Sequence, residues 1–200
     1  DYTIRHNDSI GNLDYRFSAN THSNNGSGIG FEDGDSSKPP QAIEDGGDIS
    51  QFNLRATYTP TLSDSVDLQL GYSEGQIGVG RSNHPHTFHD RDVTSHYQQL
   101  RWQRALTDEQ QISIQAYHNF LKYDASNPLT VPENLLFVGS PGFTLDIGAE
   151  DGTAERYDLD LKFTQRLGEQ TRSIWGAGIR YETLASQALL NNDKTVREWL

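Results

Sequence analysis

The sequence predicts an all-β fold and, within that class, an antiparallel transmembrane β-barrel segment of about nine strands belonging to a larger barrel. Three observations carry this. Apolar and polar residues alternate along stretch after stretch, which is the period of a half-exposed strand. The connections between stretches are in turn very short and very long, as in a barrel with tight turns at one end and loops at the other. The stretches run about 10 to 14 residues, longer than the strands of soluble sheets and long enough to cross a bilayer at a tilt.

The first strand is expected near Tyr2 to His6, with Asn7-Asp8-Ser9-Ile10 as a short turn (7–11) into a second strand from Gly11 to His22. In that strand Leu13, Tyr15, Phe17 and Ala19 face one way, and Asn12, Asp14, Arg16 and Ser18 the other. From Ser23 to Asp48 the chain turns to Asn, Gly, Ser, Asp and Pro, a composition that cannot build a core and reads as a long surface loop. Phe52, Leu54, Ala56 and Tyr58 then alternate with Gln51, Asn53, Arg55 and Thr57. After a turn at 61–64, Val66, Leu68, Leu70 and Tyr72 alternate with Asp67, Gln69, Gly71 and Ser73.

A second long connection is expected over 74–91, with Gly75, Gly78, Gly80 and the run His84-Pro85-His86-Thr87-Phe88-His89. A strand from Asp92 to Ala105 sets Leu100 and Trp102 against Gln99, Arg101 and Gln103. A turn at 106–110 leads into Gln111 to Tyr123, where Ile112, Ile114, Ala116 and Phe120 oppose Ser113, Gln115, Tyr117 and Asn119. The third long connection, 124–152, carries Pro128, Pro132 and Pro141, each of which would interrupt a central ladder. Next, Tyr157, Leu159, Leu161 and Phe163 alternate with Asp158, Asp160, Lys162 and Thr164, so the alternate face is wet. Beyond a turn at 167–171, Trp175, Ala177, Ile179 and Tyr181 alternate with Gly176, Gly178, Arg180 and Glu182. A loop around Asn191-Asn192-Asp193 precedes a ninth strand that reaches Leu200. Tyr and Trp recur near strand ends, where the aromatic belts of a membrane barrel lie.

Composition agrees with a barrel. Hydrophobic residues are 34% and mean hydropathy is −0.73; a barrel wall spreads a thin apolar face outside and keeps its inside polar. There is no apolar run long enough for a spanning helix. Cysteine is absent, which removes disulfides and thiolate chemistry. The net charge of −12 excludes a nucleic-acid surface, which needs clustered Lys and Arg. With no methionine and no signal peptide, the chain is expected to be a piece of a longer processed protein. Nine strands with incomplete first and last members do not close in the even number that single-chain bacterial barrels use, hence the larger barrel.

The stretches SQFNLRATYTPTLSDSVDLQLGYSEGQIGVG (50–80) and HYQQLRWQRALTDEQQISIQAYHNFLKYD (96–124) resemble paired barrel strands of the TonB-dependent outer-membrane receptors, and the likeness in strand pattern extends over nearly the whole chain. The resemblance implies a 22-stranded barrel in the bacterial outer membrane, surrounded by lipid. It also implies two partners beyond these residues, an N-terminal plug domain and TonB. The implied function is uptake of a scarce, bulky ligand such as a ferric siderophore or another iron complex.

Candidate ligand contacts are few. His84, His86 and His89, in the second long connection beside Asp90, carry imidazoles at spacings that suit a transition metal or an iron-bearing ligand, though histidines in an exposed flexible loop need no such role. Arg16, Arg55, Arg101, Lys162 and Arg180 lie on polar faces, where guanidinium groups would meet anionic ligand oxygens, Arg55, Arg101 and Arg180 being the candidate contacts; the plainer account is that they pair with Asp14, Asp67, Asp158, Asp160 and Glu182, or with a plug. Glu32-Asp33-Gly34-Asp35 lacks the spacing of a calcium loop, and Gly75-x-x-Gly78-x-Gly80 lacks the Lys and helix of a phosphate loop. No catalytic constellation and no cofactor motif is present, so enzyme activity is not expected. Two other classes remain open from the residues alone: a plug-less channel or structural barrel, and a soluble β-sandwich adhesin or carbohydrate-binding module whose apolar faces pack together.

Overall fold

The computed structural model describes residues 1–26, 28–30, 41–43, 45–80, 89–126, 128–133, 137–146, 150–186 and 194–199. Among these there is no helix. In chain order the strands are β1 (Tyr2–Ile10), β2 (Leu13–Asn24), β3 (Gly28–Gly30), β4 (Gln41–Ile43), β5 (Gly47–Thr61), β6 (Asp64–Val79) and β7 (His89–Thr107). They continue with β8 (Gln110–Ala125), β9 (Pro128–Val131), β10 (Phe143–Asp146), β11 (Glu150–Arg166), β12 (Arg172–Ala185) and β13 (Lys194–Trp199). Nine form one antiparallel sheet in the order β1-β2-β5-β6-β7-β8-β11-β12-β13; β3-β4 and β9-β10 are small separate hairpins. The large sheet is an open meander, with β1 and β13 at its two edges.

Several expected boundaries shift. The polar run Asn7-Asp8-Ser9 is strand, paired to Arg16, Tyr15 and Asp14, and the chain reverses instead at Gly11-Asn12. Gly11, at φ 61, supplies the positive φ that a two-residue hairpin turn requires at its first position. Within the connection expected over 74–91, the described residues 74–79 and 89–91 are ladder: β6 runs on to Val79 and β7 begins at His89, with Gly75 opposite Val93 and Gly78 opposite Asp90. Glycines there suggested a loop, yet a ladder needs only backbone N–H and C=O groups. The connections expected over 23–48 and 124–152 contain the hairpins β3-β4 and β9-β10, and Pro128 stands at the first residue of its strand, where its missing N–H is tolerated. As a result the strands exceed the expected length, up to 19 residues in β7.

The tight-turn end is stitched from hairpin to hairpin. Thr59 N–H donates to Asn12 O at 2.9 Å, Ala105 N–H to Ser63 O at 2.8 Å, and Arg166 N–H to Glu109 O at 2.8 Å. Inside the β5-β6 turn, Thr61 Oγ1 accepts from the N–H groups of Ser63 and Asp64 and donates to Asp64 Oδ2, while Trp102 Nε1 reaches across to Asp64 Oδ1 at 3.1 Å. On the polar face, register is also held by two Tyr-over-Gly pairs. A Cβ on Gly71 would overlap the ring of Tyr97, its direct partner, and one on Gly152 would overlap Tyr123.

The sheet has no core of its own. Among the described residues Ala125 is the one buried hydrophobic, whereas Leu159 is 51% and Trp175 67% exposed. All the alternating apolar residues share one face, and nothing in the described chain covers it. One cross-strand row reads Leu68, Leu100, Ala116, Leu159, Ile179. Relative to that row, the apolar band on β6 reaches up to Leu70 and Tyr72 and down to Val66. On β11 it reaches up only to Tyr157 and down to Leu161 and Phe163. The band therefore slides against the ladder as it crosses the sheet, because the strands are inclined to it.

Candidate functional site

The opposite face gathers the polar residues into two neighbouring rows. One runs Asp14, Thr57, Asp67, Arg101, Gln115, Asp160; the other Arg16, Arg55, Gln69, Gln99, Tyr117, Asp158, Arg180. Strand alternation alone puts them together, since every second residue points this way. Arg55 and Arg180 share one row but stand on β5 and β12, and Arg101 stands in the next; Arg55 and Arg101 both act on Asp67, whereas Arg180 is held at Asp158.

Two of them are already engaged. Asp67, 5% exposed, accepts from Arg101 Nη2 at 2.7 Å and Nε at 3.2 Å, and from Thr57 Oγ1 at 2.8 Å. Burial of a carboxylate is tolerable only with this degree of pairing. Asp158 sits between two guanidiniums, with Arg156 Nε at 2.5 Å and Arg180 Nε at 2.7 Å, and Glu182 lies 3.5 Å and 3.8 Å from the same two groups. Toward the long-connection end Arg91 pairs with Glu150 and lies over the Tyr123 ring, 5.6 Å from its centroid. On β7 to β12, then, Arg91, Arg101, Arg156 and Arg180 each have a carboxylate.

Arg55 differs. It lies directly opposite Arg16; among the described residues neither makes an ion pair or a side-chain hydrogen bond, but Arg55 acts electrostatically on Asp67 in the next row. Arg5 occupies the same face one rung away, opposite Ser18. Asp14, next to Arg16 along β2, accepts from Ser9 Oγ at 2.5 Å. Arg16, Asp14 and Arg55 border a shallow depression walled also by Asn7, Asp8, Ser9, Tyr15 and Thr57.

Of the histidines, His84 and His86 lie outside the described residues. His89 is the first residue of β7, opposite Val79, so it belongs to a ladder instead of the expected loop. Among the described residues no group of three or more His, Cys, Asp or Glu is placed to hold a metal ion. Glu32 to Asp35 also lie outside them.

One polar cluster escaped the sequence reading. On the otherwise apolar face, where the band slides away from the upper rows of β7 and β8, His118 Nδ1 lies 2.5 Å from Gln98 Oε1, and Gln98 Nε2 lies 2.9 Å from His96 Nδ1. His118 Nε2 is 3.1 Å from Glu155 Oε1, to which Tyr157 OH donates at 2.7 Å. Ring stacking of His96 on Phe120 (4.8 Å) and His118 on Tyr157 (4.4 Å) seals the group. The signal was parity: His96 and Gln98 fall in step with Leu100 and Trp102, so they had to point to the apolar side. No protein-family model matches the chain, and no curated protein matches it either.

Proposed function

We propose that this chain forms part of the wall of a bacterial outer-membrane β-barrel of the TonB-dependent receptor kind, taking part in uptake of a scarce bulky nutrient such as a ferric siderophore or another iron complex. The observation that carries the reading is the continuous uncovered apolar face backed by a charged one. Soluble monomers rarely leave so large an apolar patch open, and lipid is the cover that asks for no second sheet. Four outward residues from Phe52 to Tyr58 span about 20 Å of strand at ~3.4 Å per residue, which with side-chain reach is the order of a ~25 Å apolar band. The slide of that band against the ladder fits strands tilted to a membrane plane. The cluster of His96, His118, Tyr157 and Tyr181 then falls where an interfacial girdle would lie.

In this reading the polar face lines the lumen and further strands join the edges of β1 and β13. The tight turns face the periplasm and the long connections the exterior. A plug domain and TonB act with the barrel, whose part is scaffolding and ligand capture, without catalysis.

Two experiments test the proposal in turn. The protein should fractionate with the outer membrane and migrate on gels in a heat-modifiable way; a monomer soluble in the periplasm without detergent overturns the barrel. Deleting the gene should abolish growth on one iron chelate as sole iron source. Undiminished growth on every chelate, with reduced permeability to small solutes, would favour a plug-less channel.

A further inference from the structure

We infer that the apolar face carries a binding site for one phosphate-bearing acyl lipid of the surrounding membrane, its chain seated in a notch at Ala116 and its head toward Lys122. The inference rests on the proposed membrane reading and adds to it a preferred lipid at one place. In the central row Ala116 stands between Leu100 and Leu159, and its lack of side-chain bulk opens a groove of about 340 Å3 with an almost wholly apolar lining. That is the size of a small-ligand pocket. Asp158 also borders the groove, but its carboxylate is held on the other face between Arg156 and Arg180.

A second gap in the same row sets this groove apart. Ala56 lies between Tyr15 and Leu68, but the rung above it is Phe17, Leu54 and Leu70, so hydrocarbon simply continues. Above Ala116 the rung is Gln98, His118 and Tyr157, and Gln98 leads on to His96. Gln98 Nε2 donates to His96 Nδ1, so the ring proton of His96 sits on Nε2, where no described residue accepts it. That proton is a donor for the ester carbonyl that joins an acyl chain to its head. Two residues beyond Phe120, Lys122 faces the same way, exposed and in no ion pair among the described residues, and its ammonium suits the lipid phosphate. From Ala116 to Lys122 the strand covers about 20 Å at ~3.4 Å per residue, the depth of roughly one lipid leaflet with its headgroup. The acidic groups of this face leave that level to Lys122. Glu155 is held by His118 and Tyr157, Glu74 by Tyr72, and Asp92, Asp124 and Asp151 stand one rung further out.

The test is native mass spectrometry of the full-length protein in detergent, titrated with dioleoyl phosphatidylglycerol and, separately, with dioleoylglycerol as its phosphate-free counterpart. One phosphatidylglycerol should stay bound after weaker adducts are stripped. Ala116→Leu should weaken it about tenfold or more, the worth of roughly two buried methylene groups, whereas Ala56→Leu, the same change in the other gap, should leave it unchanged. Lys122→Gln, at an exposed position, should weaken phosphatidylglycerol and leave dioleoylglycerol as it is; if Ala116→Leu does not fold, this variant decides alone. No retained phosphatidylglycerol, equal weakening by Ala56→Leu, or unchanged phosphatidylglycerol binding in Lys122→Gln would each overturn the site. A protein that inserts in the outer membrane yet retains no lipid loses this site and keeps the barrel, while one that is soluble without detergent loses both.

Discussion

The polar face holds two regions built from the same residue types with opposite outcomes. Across β6 to β12, arginines and carboxylates neutralise one another at 2.5 to 2.7 Å over Asp67 and Asp158. Across β1 to β5, Arg16 and Arg55 face each other and, among the described residues, neither is in an ion pair, with Asp14 and Asp67 one row away. The difference teaches that charge on this face is not merely a solvated surface. In the first region the charges lock neighbouring strands together, so removing one partner must cost stability. In the second the two guanidiniums repel each other and meet carboxylates only at a distance, so removing one must cost little or nothing.

The sharpest expected effect follows from Asp158→Asn. It would leave Arg156 and Arg180 turned toward each other without the shared carboxylate, and unfolding free energy should fall by about 2–3 kcal/mol. That is less than for a fully buried pair, because both arginines reach solvent. Denaturant titration in detergent reads this directly. Next comes Arg101→Gln, which leaves Asp67 with Thr57 alone; about 1–3 kcal/mol should be lost, and Arg101→Gln/Asp67→Asn should recover part of it. The smallest effect has the opposite sign. Arg55→Gln should be neutral or stabilising by up to about 1 kcal/mol, and Arg55→Glu should stabilise by a similar amount by creating a cross-strand pair with Arg16. If Arg55→Gln destabilises as much as Arg101→Gln does, the two regions are alike and the comparison fails.

How much of this was legible follows from how register is set. Alternation assigns each residue to a face, and the apolar sets Val66 to Tyr72 and Tyr157 to Phe163 could be read from it without any structure. Across a tight turn even the partners can be counted: Arg166 opposite Arg172 requires Asp158 opposite Arg180. Arg16 and Arg55, by contrast, are separated by the connection expected over 23–48, whose length leaves the β2-β5 register undetermined. The first turn was misread because Asn7-Asp8-Ser9 has turn composition, while the backbone reverses at the glycine that follows. Glycines 75 and 78 misled in the same way. The histidine and glutamine cluster was hidden only by stopping the parity count at Leu100.

The central claim is that lipid covers the apolar face, and Trp175 is the natural reporter because it is 67% exposed on that face. In a variant keeping Trp175 as its sole tryptophan (Trp102→Phe/Trp199→Phe), reconstituted in vesicles, fluorescence should be strongly quenched by lipids brominated on the acyl chain and little affected by aqueous iodide. Ready quenching by iodide with no response to brominated lipid would contradict the account.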